Sequence, residues 1–343
     1  MKINKLFLKF ISAGLALAIS STAYAVDINT ARGSVSFPQA LSARVAVYDM
    51  AAMDTLESLG VKPQGVVAPL LVDYLNQNQA EDAVKIGTLF EPDMEVLNRL
   101  KPEAIIIGGR MAPKHDELTR IAPVVDVTNT GVSVETSLKL LQELGKLFAK
   151  EERSAQLQKS LIDELNLTKT ALQNQGKALM IMVNGPKIAS FGVNSRFGYL
   201  FNDYGWQAAD TNESRARHGQ PVSFEFIRKL DPDWLIVMDR SSAIQAKGEN
   251  ARAVLDNALL KDTKAFKNKQ VIYLDSSSYL ASGGYQQMMI ELKLLREAVA
   301  KSQGEARTQA LVEKPTQLLI DVASQAQTVT TQVAQQASVV AHQ

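Results

Sequence analysis

The chain has 343 residues, 46% hydrophobic and 21% charged, and no cysteine. That length suits two domains of ordinary size, each with its own core. The missing thiols exclude a disulfide framework, thiolate metal sites, a cysteine nucleophile and the cysteine on which a lipoprotein anchor is built.

The first 25 residues read as an export signal. Lys2, Lys5 and Lys9 form a basic start, residues 10–20 an apolar run, and Ala23-Tyr24-Ala25 a small-x-small cleavage site. Cleavage after Ala25 is expected. It removes three lysines and no acid, so the formal charge goes from +1 to −2 (1 − 3 = −2). So small a charge gives no whole-molecule field for nucleic acid or an anionic membrane, and any attraction for an anion is local. No second long apolar run follows, so membrane insertion is not expected. A soluble periplasmic protein, without a nucleic-acid partner and monomeric, is the expectation.

From Arg44 short apolar runs alternate with helical patterns, the signature of a parallel α/β sheet. "RVAVYDM" (44–50) predicts a strand, and 51–60 a helix closed by Gly60. "GVVAP", "AIIIGG" and "PVVDV" predict further strands. Asp93 is a good N-cap for a helix over 93–100, and Pro113 suits a first helical turn. Residues 26–150 form an expected N-terminal lobe. Residues 133–175 lack proline and carry Leu141, Leu144, Phe148, Leu157, Leu161 and Leu165 at helical spacing. They predict a long helix beginning near 133, whose part over 151–176 is a spine between lobes. At ~1.5 Å per residue, 153–175 alone would span about 35 Å. Strands "KALMIMVN", "KIASFG", "WLIVMD" and "VIYLD", a helix over "RFGYLFNDYG" and a final helix over 283–302 make a C-terminal lobe, 177–301. The tail, 302–343, has no aromatic residue and is rich in Gln, Ala, Thr and Val. It reads as a loose or helical appendage, and no function is assigned to it.

One unit occurs twice. "DMEVLNRLKPEAIIIGGR" (93–110) and "SFEFIRKLDPDWLIVMDR" (223–240) share cap, acid, helix, Leu, Pro-acid, strand and arginine, position for position. Ligands of parallel α/β sheets bind beyond the carboxyl ends of strands. Arg110 and Arg240 hold that place in their lobes, and Arg196 in "VNSRFG" follows another strand. Three guanidiniums facing one cleft would make an anion site. Taken alone, an arginine at a strand end is more often solvated or paired with an acid. His218 and Tyr279 lie in polar and small-residue loops, where most such residues are ordinary surface. Glu95 and Glu225 take equivalent places at helix starts, where they favour the macrodipole; as one exposed acid per lobe they could equally dock a partner. No metal-spaced histidines, G-x-S-x-G elbow, P-loop or G-x-G-x-x-G occurs.

Together these residues resemble the periplasmic binding proteins of iron-siderophore ABC importers, over about residues 40–300. The enterobactin/enterochelin (catecholate) subgroup is the nearest in look, through "VAVYDMAAMDTLESLGV", "VNSRFG", "HGQPVSFEFI" and "SSSYLASGG". The resemblance implies two α/β lobes of parallel type joined by one long helix, and a carrier rather than an enzyme. It has no intrinsic cofactor, and its ligand is an Fe(III)-siderophore. It assigns Arg110, Arg196 and Arg240 to the anionic ferric catecholate, and His218 and Tyr279 to the iron of a tetradentate complex. It assigns Glu95 and Glu225 to docking on an inner-membrane ABC permease, and leaves Lys114 as an uncertain helper. The chemistry agrees: Fe(III) suits catecholate and phenolate oxygen, with imidazole acceptable. Rival readings are a carrier of haem, a corrinoid or a ferric hydroxamate, a direct zinc or manganese carrier, and a secreted metal-dependent hydrolase.

Overall fold

A β-hairpin precedes the first lobe's sheet: β1 (Val26–Thr30) pairs antiparallel with β2 (Gly33–Phe37). Ile28 and Phe37 point into the core, and the Asn29 amide donates to Glu143 at 2.9 Å. The computed structural model describes residues 25–75, 82–211 and 219–303. The signal sequence before Ala25, His218 and the tail beyond Gln303 lie outside the described residues.

The N-terminal sheet is wholly parallel. Its order is β5 (Val84–Lys85), β4 (Gly65–Val66), β3 (Val45–Val47), β6 (Ala104–Ile107), β7 (Val124–Asp126). β3, β6 and β7 are completely buried, and β3 and β6 accordingly read as unbroken apolar runs, while β7 ends in the buried Asp126. Helix α1 (Met50–Ser58) follows β3, capped by Asp49, whose carboxylate accepts from the Ala52 amide.

The repeat is a structural repeat. Helix α2 (Met94–Leu100) is capped by Asp93 on the Val96 amide and ends at Lys101, in the left-handed region at φ 48. Its counterpart in the second lobe, Phe224–Leu230, is capped by Ser223 on the Phe226 amide and ends at Asp231, φ 44. Each helix then feeds a strand, β6 or its counterpart Trp234–Asp239, whose far end carries the arginine.

The helical pattern from 133 is two helices, not one. Helix α3 (Val134–Leu147) belongs to the first lobe, with Leu141, Leu144 and Leu147 in its core. The chain then turns through Phe148, Ala149 at φ 51 and Lys150 before α4 (Glu151–Leu172) begins. The two cross closely: a Cβ on Gly145 would lie 2.6 Å from the Ser154 Cβ. The break folds α4 back against α3, where the Ser154 hydroxyl donates to the Leu141 carbonyl at 3.0 Å. In α4, Leu157 joins the first lobe's core while Leu161, Leu165 and Leu172 join the second's. Helix α4, about 33 Å at ~1.5 Å per residue, is the link between lobes.

The C-terminal sheet is mixed. Its order is β11 (Gln220–Pro221), β9 (Lys187–Phe191), β8 (Lys177–Asn184), β12 (Trp234–Asp239), β13 (Val271–Tyr273), with β10 (Gln207–Ala208) also against β8. β12, β13 and β10 run parallel to β8, whereas β9 returns antiparallel through a tight Gly185-Pro186 turn with Gly185 at φ 56. Helix α5 is Phe224–Leu230, the repeat helix already described. Helix α6 (Tyr285–Ser302) closes the fold, packed antiparallel on α4. Thr168 Oγ1 donates to the Leu292 carbonyl at 3.2 Å, and Arg296 pairs with Glu164. The helix expected over "RFGYLFNDYG" shrinks to one turn, Tyr199–Asn202.

Helix α6 is also fastened to the first lobe. Its N-terminus has no cap from its own sequence. Asp54 of α1, fully buried, supplies one: Oδ1 accepts from the Gln286 amide at 2.7 Å and Oδ2 from the Gln287 amide at 2.9 Å. The Tyr74 hydroxyl donates to the same carboxylate at 2.5 Å.

A cleft with three arginines around one tyrosine

Each arginine stands beyond the carboxyl end of a strand. Arg110 follows β6 across Gly108 and Gly109. A Cβ on Gly108 would meet Asp49 Oδ2 at 1.9 Å, so glycine lets the chain pass over that carboxylate. Arg196 sits in the loop after β9, and Arg240 opens a short helix, Arg240–Ala243, at the end of β12. Tyr279 lies in another short helix, Ser277–Leu280, after β13.

These four residues, drawn from both lobes, converge. Arg240 Nε donates to the Tyr279 hydroxyl at 2.8 Å, and its other arm reaches Asn184 Oδ1 at 3.0 Å. Arg110 donates to the carbonyls of Tyr279 and Leu280, both at 3.2 Å. Arg196 donates to the same Tyr279 carbonyl at 3.2 Å. The Arg196, Arg240 and Arg110 guanidinium carbons lie 4.7, 5.6 and 5.8 Å from the centre of the Tyr279 ring. Cations over an electron-rich face are mutually tolerated by the ring quadrupole.

A cavity of about 630 Å³ opens beside this cluster, within the usual size of small-ligand sites. Arg110, Arg196 and Tyr279 are among its lining residues, as are Asp49, Asp126 and Glu143. Asp126 is tied to Arg32 at 2.8 Å and Glu143 to Lys146 at 3.1 Å, so these acids are largely spoken for within the lobe. Burial pushes the Asp49 carboxyl up; the Ala52 amide and the Arg110 guanidinium oppose this without cancelling it.

The remaining candidates are not in the cluster. Glu95 projects from the first turn of α2 with its side chain 89% exposed and pairs with Arg99 at 3.3 Å. Glu225 is exposed at the matching place on α5, and the Ser223 hydroxyl lowers its pKa. Lys114 is paired with Glu91 at 3.3 Å and Glu117 at 3.9 Å. Among the described residues no group of three or more His, Asp or Glu side chains could hold a metal ion, and no helix is long and apolar enough to cross a membrane. Sequence reasoning missed Asp49, Asn184 and the buried carboxylates Asp54 and Glu291. Only Asp49 had a legible signal, as a cap-type residue at a strand end.

Two α/β lobes, one linking helix and a cationic interlobe site define a solute-binding protein of the two-lobe type. Residues 45–278 match the periplasmic binding protein family, and the chain belongs to it. It is therefore a binding protein, not an enzyme. It is 34% identical over 266 residues to the petrobactin-binding protein YclQ of Bacillus subtilis, covering 75% of this chain and 83% of that one. It is 32% identical over 258 residues to the ferric-anguibactin-binding protein FatB of Vibrio anguillarum, covering 72% and 79%. The crystal structure of YclQ superposes with a TM-score of 0.75 at 30% identity, over 80% of this chain and 99% of that one. The periplasmic catecholate-siderophore binding protein VctP of Vibrio cholerae gives 0.72 at 28% identity, over 80% and 100%.

Proposed function

We propose that this protein captures a ferric catecholate siderophore between its lobes and delivers it to an inner-membrane ABC permease. The observation that carries the reading is the convergence of three guanidiniums from both lobes on Tyr279. Three permanent cations gathered on one aromatic ring suit a polyanionic ligand. Two catecholate dianions and one phenolate around Fe(III) leave a charge of about 2−, a polyanion that the arginines offset. The relatives support the same class, since their names refer to petrobactin, ferric anguibactin and catecholate siderophores.

In this reading Arg110, Arg196 and Arg240 hold the catecholate oxygens. A tetradentate complex leaves two iron positions open, and the Tyr279 phenolate with the His218 imidazole fill them. Iron is cargo, and the protein has no resident cofactor. Glu95 and Glu225, one per lobe, dock on basic sockets of the permease. The lobes comprise 26–150 and 177–301 with the spine at 151–176, and the mature protein, cut after Ala25, works as a monomer in the periplasm.

Fluorescence titration of the mature protein with ferric complexes of a bis-catecholamide and a trihydroxamate, with haem and with a corrinoid tests the reading. Preference for the catecholate supports it. Preference for the trihydroxamate, haem or the corrinoid would sink it.

A further inference from the structure

Behind Tyr279 stands a carboxylate that the binding reading does not use. Glu291, on the second turn of α6, is 1% exposed, and among the described residues its partners are uncharged. Three donors aim at one of its oxygens: the Ser278 hydroxyl at 2.5 Å, the Gln287 amide at 3.1 Å and the Tyr199 hydroxyl at 3.2 Å. Gln287 in turn accepts from the Gly283 amide at 2.9 Å. Glu291 and Gln287 thus tie down both ends of the turn from Ser278 to Gly283, the turn that carries Tyr279. An isolated carboxylate in a core is costly unless hydrogen bonds offset it. Burial pushes Glu291 up to about 7 even with Ser278 and Tyr199 donating to it. A core position that needed only volume would be filled by an apolar residue.

We infer that Glu291 is a positioning residue for the ligand cleft: acting through Ser278, it fixes the Tyr279 turn so that the phenol is held ready for the iron. This rests on the reading of Tyr279 as an iron ligand. The same turn presents the Tyr279 carbonyl to Arg110 and Arg196 and the phenol to Arg240. When the turn loosens, the phenol and the guanidiniums lose their common register.

The test is a double-mutant cycle on the mature protein with a ferric bis-catecholamide, following affinity and the visible charge-transfer band. Glu291→Met, which keeps the volume and removes the acceptor, should weaken binding about tenfold and move the band toward that of the free complex. Glu291→Gln, which keeps an oxygen for Ser278, should recover most of the loss. Once Tyr279 is Phe, Glu291→Met should cost less than about twofold more. Equal weakening by Glu291→Met in the Tyr and Phe backgrounds, or no weakening at all, overturns the inference. Should Glu291→Met fail to fold, Ser278→Ala removes the same link with less disturbance and carries the same expectations. Failure of the underlying reading is seen separately: Tyr279→Phe by itself would then bind with wild-type affinity and an unmoved band.

Discussion

Arg240 Nε donates to the Tyr279 hydroxyl at 2.8 Å, so the cluster's arginine from β12 already holds an oxygen of the kind a catecholate would present. A bound chelate would share or replace that contact. The cleft is therefore organised around an oxygen acceptor before any ligand arrives, which lowers the ordering cost of binding.

The arginines should act as charges and as forks. Replacing Arg110, Arg196 or Arg240 by Gln removes charge-assisted hydrogen bonds worth about 2 kcal/mol each, roughly a 30-fold rise in Kd. Replacement by Lys should recover only part, because an ammonium cannot reproduce the planar fork. Isothermal titration at two ionic strengths checks this, and the wild-type affinity should fall more steeply with salt than that of any Gln variant.

The lobe-tip acids should separate binding from delivery. Glu95→Ala and Glu225→Ala remove exposed side chains, so melting temperature and ligand affinity should stay at wild-type values. Stimulation of the permease's ATPase in proteoliposomes should be lost when both are changed. Unaltered stimulation would remove the docking role.

Two glycines should be intolerant of a single methyl. A Cβ on Gly284 would lie 2.6 Å from Asp54 Cγ, and one on Gly108 would lie 1.9 Å from Asp49 Oδ2. Gly284→Ala should separate α6 from its cap and destabilise the protein by about 2–3 kcal/mol, as should Asp54→Ala. Urea denaturation of the two variants and their combination is the check, with a double variant little worse than either single one.

Stability should fall as pH rises through neutrality. Burial raises Asp54 and Glu291 to about 7, from ordinary values of 3.8 and 4.5. Between those limits the folded state binds more protons than the unfolded one, so the stabilisation is complete below the unfolded values. It is lost as pH rises through the folded ones, by at most ~1.4 kcal/mol per pH unit for each group. Asp126 and Glu143 are shifted the other way and act only in acid, below about pH 4. Melting temperature should therefore decline from pH 5.5 to 8, and Glu291→Gln should flatten part of that slope.

Much of this molecule was legible in the chain, and what was hidden has identifiable causes. β6 and β12 announced themselves because a Pro-acid pair fixes where each apolar run begins and an arginine where it stops. The break between α3 and α4 was hidden because leucines keep helical spacing across it and the turn uses Ala149 rather than Gly or Pro. The antiparallel β9 was hidden because apolar content does not encode strand direction. Arg110, Arg196, Arg240 and Tyr279 were nameable as residues beyond strand ends, but their meeting on one ring is a tertiary fact. Asp54 and Glu291 look like solvent-facing acids in amphipathic helices. Only the packing of α6 against α1 and the Tyr279 turn shows them to be buried.

The most direct test of the account is the visible charge-transfer band of a ferric bis-catecholamide titrated into the mature wild-type protein and into Tyr279→Phe. Phenolate coordination predicts a band shift on binding that Tyr279→Phe abolishes, together with weaker binding at acid pH, where protons compete with iron for the ligand oxygens. Binding by both proteins with the band of the free complex would contradict iron ligation by Tyr279. No binding by either would contradict the catecholate reading itself.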